Sequence, residues 1–180
     1  MSAADQLTLA RALSVPFVVL LFAVDFDGHN YWATALFAVA MATDWFDGRL
    51  ARRHGRTSPL GSLLDPVADK ILVLAVMVML VAADVVPGWM VAAIVVREFL
   101  VSGLRLAALE RGVVLHARDL GKLKTWSQAV AAAVGGFAAA GAWRDDYAWW
   151  ALLVAVVLTW LSGLDYARVA PRLWRSGAPA

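Results

Sequence analysis

The sequence predicts an all-α integral membrane protein of six transmembrane helices with both termini in the cytoplasm, and three observations predict it. Hydrophobic residues make up 62% of the chain and charged residues only 17%, whereas a water-soluble domain is about half apolar and about a quarter charged. At roughly 20 residues per span, the 180 residues hold about six spans with short loops, so residues 1–180 form a single transmembrane domain. Third, Lys and Arg collect on one side of the apolar segments. The composition excludes disorder and an ordinary cytosolic enzyme. The absence of Cys removes disulfides, thiolate metal sites and cysteine nucleophiles. A net charge of +2 is too small to point to nucleic acid.

Uncharged runs mark the helices in order: Ala12 to Val24, Tyr31 to Thr43, Ile71 to Ala83, Pro87 to Val96, Thr125 to Trp143 and Tyr147 to Leu164. Only the last two reach bilayer length unaided. The first helix must take in Arg11. The second must continue through Asp44 to Arg52, the third must begin around Asp65 to Lys70, and the fourth must continue through Arg97 to Arg105. Pro66 suits the first turn of the third helix. Charge at membrane depth is costly, so the charged residues on these helices are functional candidates. The start is not expected to be a cleaved signal: it lacks a basic leading segment, and its apolar run ends in Asp25, Phe26, Asp27. In the fifth helix, Gly135, Gly136 and Gly141 give small surfaces that suit either a dimer face or internal packing.

The connections set the orientation. Asp25, Asp27, Asp84, Asp145 and Asp146 lie in three short connections that hold one base, Arg144. The other Lys and Arg fall on the opposite side or on helix ends leading there, which places both termini, Arg49 to Lys70 and Arg105 to Lys124 in the cytoplasm. Trp32, Trp89, Trp143, Trp149 and Trp150 gather at the outer boundary and Trp45, Trp126 and Trp174 at the inner one, as interfacial belts do.

The chemistry is concentrated in DWFDGRLARRHGRTSPLGSLLDPVADK, which begins at Asp44. At about 100° per residue, Asp47, Gly48, Ala51 and Arg52 fall about −60°, +40°, −20° and +80° from Asp44, so all five share one helix face. Gly48 and Ala51 leave space between the carboxylates and Arg52 for a bulky group. On the next helix Gly61, Asp65 and Asp69 recur every fourth residue. A lone Asp-x-x-Asp is usually a solvated pair; four acids, two glycines and an arginine in two registers are not. Converging carboxylates repel unless cations separate them, and oxygen ligands without His or Cys favour Mg²⁺ or Mn²⁺. Two such ions would clamp a phosphate or pyrophosphate, which implies phosphoryl-group transfer.

The spacing from Asp44 through Asp47, Gly48, Ala51, Arg52, Gly61 and Asp65 to Asp69 resembles the signature of the CDP-alcohol phosphatidyltransferases, without departure at any fixed position. The resemblance implies the CDP-alcohol phosphotransferase fold, a single transmembrane catalytic domain whose signature spans residues 44–69, and a homodimer in the bacterial cytoplasmic membrane. It implies that Asp44, Asp47, Asp65 and Asp69 hold the two metals, that Asp69 is also the general base, and that Gly48, Arg52 and Gly61 line the CDP site. The segments LTLARALSVPF, REFLVSGLR and GKLKTWSQ are similar to bacterial members that use CDP-diacylglycerol and glycerol 3-phosphate, over roughly Leu7 to Gln128. Gln6 departs from the Asn common there.

The basic residues agree with an anionic acceptor. Arg97, Arg105, Arg118, Lys122 and Lys124 lie where helix ends should meet the aspartates, and such a group would grip a phosphate at the inner surface, Arg with bidentate geometry. Arg111, Arg168, Arg172 and Arg175 read instead as anchors to anionic membrane lipids. His29, His54 and His116 stand singly, without metal spacing. Within the same chemistry the acceptor could be serine, inositol phosphate or phosphatidylglycerol. A carboxylate-based cation transporter is opposed by acids confined to one surface with arginine beside them. A soluble polyprenyl synthase would need neither positive-inside loops nor Trp belts.

Overall fold

A computed structural model describes the backbone of residues 3–54, 59–110 and 119–175, and the side chains of residues 10–43, 70–108, 110 and 121–164. Six α-helices account for nearly all of it: α1 (Ala3–Ala23), α2 (His29–His54), α3 (Pro59–Ala82), α4 (Gly88–Glu110), α5 (Asp119–Ala139) and α6 (Asp145–Arg175). No strand occurs among the described residues. The charged residues expected to ride on apolar helices do so: Arg11 on α1, Asp44 to Arg52 on α2, Asp65 to Lys70 on α3, and Arg97 to Arg105 on α4.

Two expectations need correction. The helix α3 opens at Pro59, so Pro66 falls in its interior and Pro59 takes the N-terminal place that suits a residue without an N–H. The uncharged run from Thr125 overshoots its helix, because α5 ends at Ala139 and Ala140 to Trp143 turn the chain. Among the described residues only Asp145–Leu164 is long and apolar enough to cross a bilayer alone; Ala10–Ala23 and Lys70–Ala82 are shorter apolar helices.

The core runs along the centre of the bundle. The helix α3 packs against α1, α2, α4 and α5, and α6 closes against α4 and α5. Val18 and Phe22 of α1, Phe37 of α2, Leu72, Val76, Met77 and Leu80 of α3, and Met90 and Ile94 of α4 are buried there. Small residues of α5 let neighbours approach: a Cβ at Gly135 would strike Leu80 and one at Gly136 would strike Thr34. These two glycines therefore serve packing within the chain, the second of the two uses open to them. The surface is strongly apolar: Phe17, Val39, Val78, Val130 and Val157 are about half exposed or more, and Phe99 of α4 is 71% exposed.

Three tight turns join the helices at one end. Asp84 and Gly141 adopt left-handed backbone at φ +57° and +71°. Each closes a Schellman cap, with Val85 N donating to Leu80 O at 3.0 Å and Ala142 N donating to Phe137 O at 3.0 Å. Asn30 Nδ2 donates to Ala139 O at 3.0 Å, tying the first and third turns together. The other ends of α2, α3, α4 and α5 are thus gathered at the opposite end of the bundle, where the signature lies.

Candidate active site

Helical register carries the signature aspartates on from the core. Asp44 stands one heptad beyond Phe37 and Asp47 two heptads beyond Ala33; a heptad returns to within about 20° of the same direction, and Ala33 and Phe37 are both buried. On α3, Asp65 and Asp69 stand one heptad before Leu72 and Val76, again buried. Along the backbone, both aspartate rows therefore continue the registers of buried residues of α2 and α3. The side chains of Asp44, Asp47, Gly48, Arg52, Gly61, Asp65 and Asp69 lie outside the described residues.

The donor set fits a hard divalent ion. Two rows supply four carboxylates, neither contains His, and the chain has no Cys, a set suited to Mg²⁺ or Mn²⁺ rather than zinc. Among the described residues no other group of three or more His, Asp or Glu could hold a metal.

Next to the α3 row lies a buried polar cluster centred on Glu98 of α4, which is 4% exposed. Its Oε1 accepts from Arg97 Nη1 at 3.2 Å, from Gln128 Nε2 at 3.2 Å and from Lys124 Nζ. Its Oε2 pairs with Lys70 Nζ of α3 at 3.5 Å, and Lys70 Nζ donates to Ser102 Oγ at 2.9 Å. The cluster extends to α6: Arg97 Nη2 donates to Ser162 Oγ at 2.8 Å, and Gln128 Nε2 donates to Thr159 Oγ1 at 2.8 Å. Gly163 leaves room for the arginine, since a Cβ there would lie 3.1 Å from Arg97 Nε. Burying a charge is costly unless it is paired, and here Glu98 is paired with cations of α3, α4 and α5 while α6 adds hydroxyl partners.

The predicted acceptor group is thereby divided. Arg97 and Lys124 are buried and engaged by Glu98. Arg105 is partly buried farther along α4, Lys122 is exposed near the start of α5, and Arg118 lies outside the described residues. Sequence reading gave no role to Lys70, Ser102, Gln128, Thr159 or Ser162. In the sequence the cluster shows only as an acid, Glu98, next to Arg97 in an apolar run. His29, as expected of an isolated histidine, bonds locally, with Nδ1 3.3 Å from Leu21 O.

Residues 1–161 match the family model described as CDP-alcohol phosphatidyltransferase. The chain is 40% identical over 139 residues to the CDP-diacylglycerol–glycerol-3-phosphate 3-phosphatidyltransferase of Bacillus subtilis (strain 168), covering 71% of this chain and 72% of that one. It is 39% identical over 174 residues to the protein of the same name from Escherichia coli (strain K12), covering 91% of this chain and 92% of that one. It is 38% identical over 174 residues to the probable phosphatidylglycerophosphate synthase of Mycobacterium tuberculosis (strain ATCC 25618 / H37Rv), covering 94% and 81%. With the family model matched over residues 1–161 and relatives 38–40% identical over most of its length, the chain belongs to the CDP-alcohol phosphatidyltransferase family.

Proposed function

We propose that this protein transfers the phosphatidyl group of CDP-diacylglycerol to glycerol 3-phosphate, giving phosphatidylglycerophosphate and CMP. The observation that carries the reading is the unbroken Asp44 to Asp69 signature in a chain 38–40% identical to relatives named for that reaction. Asp44, Asp47, Asp65 and Asp69 would hold two divalent cations, Mg²⁺ or Mn²⁺, which when bound supply charge neutralisation to the pyrophosphate. Gly48, Arg52 and Gly61 line the CDP site, the two glycines leaving the backbone open to the nucleotide.

In the reaction the primary hydroxyl oxygen of glycerol 3-phosphate forms a bond to the lipid-side β-phosphorus. Asp69 accepts the hydroxyl proton, and the bond from that phosphorus to the bridging oxygen breaks, releasing CMP. Arg105, Arg118 and Lys122 hold the acceptor phosphate, while Arg97 and Lys124 are engaged by Glu98. Positioning and charge neutralisation supply most of the acceleration.

The surface supports a membrane setting. Large apolar side chains exposed on every helix suit lipid contact, and exposed Trp32, Trp89, Trp143 and Trp150 stand toward the end with the tight turns. The reading is six spans in the bacterial cytoplasmic membrane, both termini and the active site at the cytoplasmic face, residues 1–180 as one catalytic domain, and two copies forming a homodimer. The test incubates purified protein with CDP-diacylglycerol, Mg²⁺ or Mn²⁺ and a panel of labelled alcohols, and measures CMP and lipid product. Release with glycerol 3-phosphate is expected; release only with serine, inositol phosphate or phosphatidylglycerol would overturn the acceptor.

A further inference from the structure

Glu98 has no part in the proposed reaction, although its carboxylate is buried and engaged by four side chains. Its partners come from three helices: Arg97 on its own α4, Lys70 on α3, and Lys124 and Gln128 on α5. The contact to α3 is the informative one. Lys70 directly follows Asp69, and both are on the same continuous helix. Lys70 is held from two sides, by Glu98 Oε2 at 3.5 Å and by Ser102 Oγ at 2.9 Å, both on α4.

A helix turns as a unit, so whatever holds Lys70 also sets the direction of Asp69, one residue and about 100° away, and of Asp65, one turn farther. Beyond Lys70 toward the outer end, α3 is located by Leu72, Val73, Val76, Met77 and Leu80, all buried apolar residues. To that packing Lys70 adds a directional polar contact at the end of α3 nearest the aspartates. Side chains reach about 5–6 Å from a helix axis, so a rotation of about 10° moves a carboxylate by about 1 Å. A displacement of that size can cost about a hundredfold in rate.

We infer that Glu98 is a positioning residue: through Lys70 it braces α3 against α4 and α5 and sets the direction of the Asp65 and Asp69 row. Arg97 and Lys124 balance Oε1, which leaves Oε2 for Lys70. The inference rests on the proposed function for its consequence in catalysis, but the bracing can be read without activity.

The test uses Glu98→Gln, Lys70→Met, their double variant and Lys70→Arg in the full chain. CMP release is measured as kcat and KM for both substrates. Separately, spin labels are placed on cysteines introduced at Ser62 of α3 and Leu123 of α5, in a chain that has no cysteine of its own. Glu98→Gln and Lys70→Met should each lower kcat about ten- to hundredfold with both KM values within about twofold, and should each shift or broaden the interlabel distance distribution. The double variant should be no worse than the poorer single one, and Lys70→Arg should recover most of the activity. Losses that multiply in the double variant, wild-type kcat in Lys70→Met, or an unchanged distance distribution would each overturn the inference. Lys70 is partly exposed, so its variant decides the matter even if Glu98→Gln does not fold. Wild-type protein that releases no CMP with any alcohol defeats the proposed function, while the distance distributions still judge the brace.

Discussion

Thr34 of α2 and Gly136 of α5 meet so closely that a Cβ on the glycine would overlap the threonine side chain. Thr34 cannot swing clear without losing its own bond, since its Oγ1 donates to Asn30 O at 2.7 Å. Gly136→Ala should therefore destabilise the protein by about 1–3 kcal/mol, the usual cost of overpacking. Gly103 of α4 is the control: nothing lies within 4 Å of a Cβ built there, so Gly103→Ala should gain up to about 1 kcal/mol of helix propensity. Thermal unfolding of both variants in one detergent checks the pair, and a common sign for the two shifts would contradict the packing.

Gly141 gives a purely conformational case. Its φ is +71° and no atom lies within 4 Å of an added Cβ, so an alanine there meets strain without a clash. Gly141→Ala should cost about 1 kcal/mol, again read from the unfolding midpoint.

Asp69→Asn keeps the size of the side chain but removes its basicity. Turnover should fall by about 10²–10⁴, the usual contribution of a general base, while binding of CDP-diacylglycerol survives in large part. Rapid-mixing assays of CMP release together with a lipid-binding titration separate the two effects; full activity in the variant would end the assignment of Asp69 as base.

Arg105 and Arg97 should separate by phenotype, although both are arginines of α4. Arg105→Ala should raise the KM for glycerol 3-phosphate by about ten- to hundredfold, the loss of one charge-assisted contact, with kcat little changed. Arg97→Ala instead strips a partner from buried Glu98 and Ser162 and should cost about 3 kcal/mol of stability. Steady-state kinetics and thermal unfolding of the two variants test the division of the basic group.

Removing divalent ions with EDTA should abolish CMP release, and Mg²⁺ or Mn²⁺ should restore it. Activity that persists through exhaustive chelation would rule out the four-carboxylate metal site.

The helices were legible because their signal is local. Uncharged runs, turn residues and the need to lengthen four short runs with charged ends located all six. The aspartate rows were legible for the same reason, since a three- or four-residue spacing on a helix fixes direction without knowledge of neighbours. Boundaries were harder: Thr125 to Trp143 carries no charge, and nothing in hydropathy separates the helical part from the turn that Gly141 makes. Pro66 resembled a helix start because proline is favoured there, but Pro59 stood earlier and offered the same advantage. The Glu98 cluster was not legible. Its members lie 26 to 32 residues apart or more along the chain for Lys70, Lys124, Gln128 and Ser162, and only the packing of α3, α4, α5 and α6 brings them together.

The same cluster bears on how such a chain is made. In the six-span reading α4 is synthesised before α5 and α6, so Arg97 and Glu98 reach the bilayer before Lys124, Gln128, Thr159 and Ser162 exist to receive them. In a lone α4, Arg97 and Glu98 are charges within an apolar stretch that lipid rejects, and Lys70 of the preceding helix is the one charged partner from another helix already in place among the described residues. Stable residence of α4 must therefore await the final hairpin, which makes α5 and α6 the latch of biogenesis although the signature lies wholly on α2 and α3. A nascent chain truncated after α4 would be a substrate for quality control rather than a half-built enzyme.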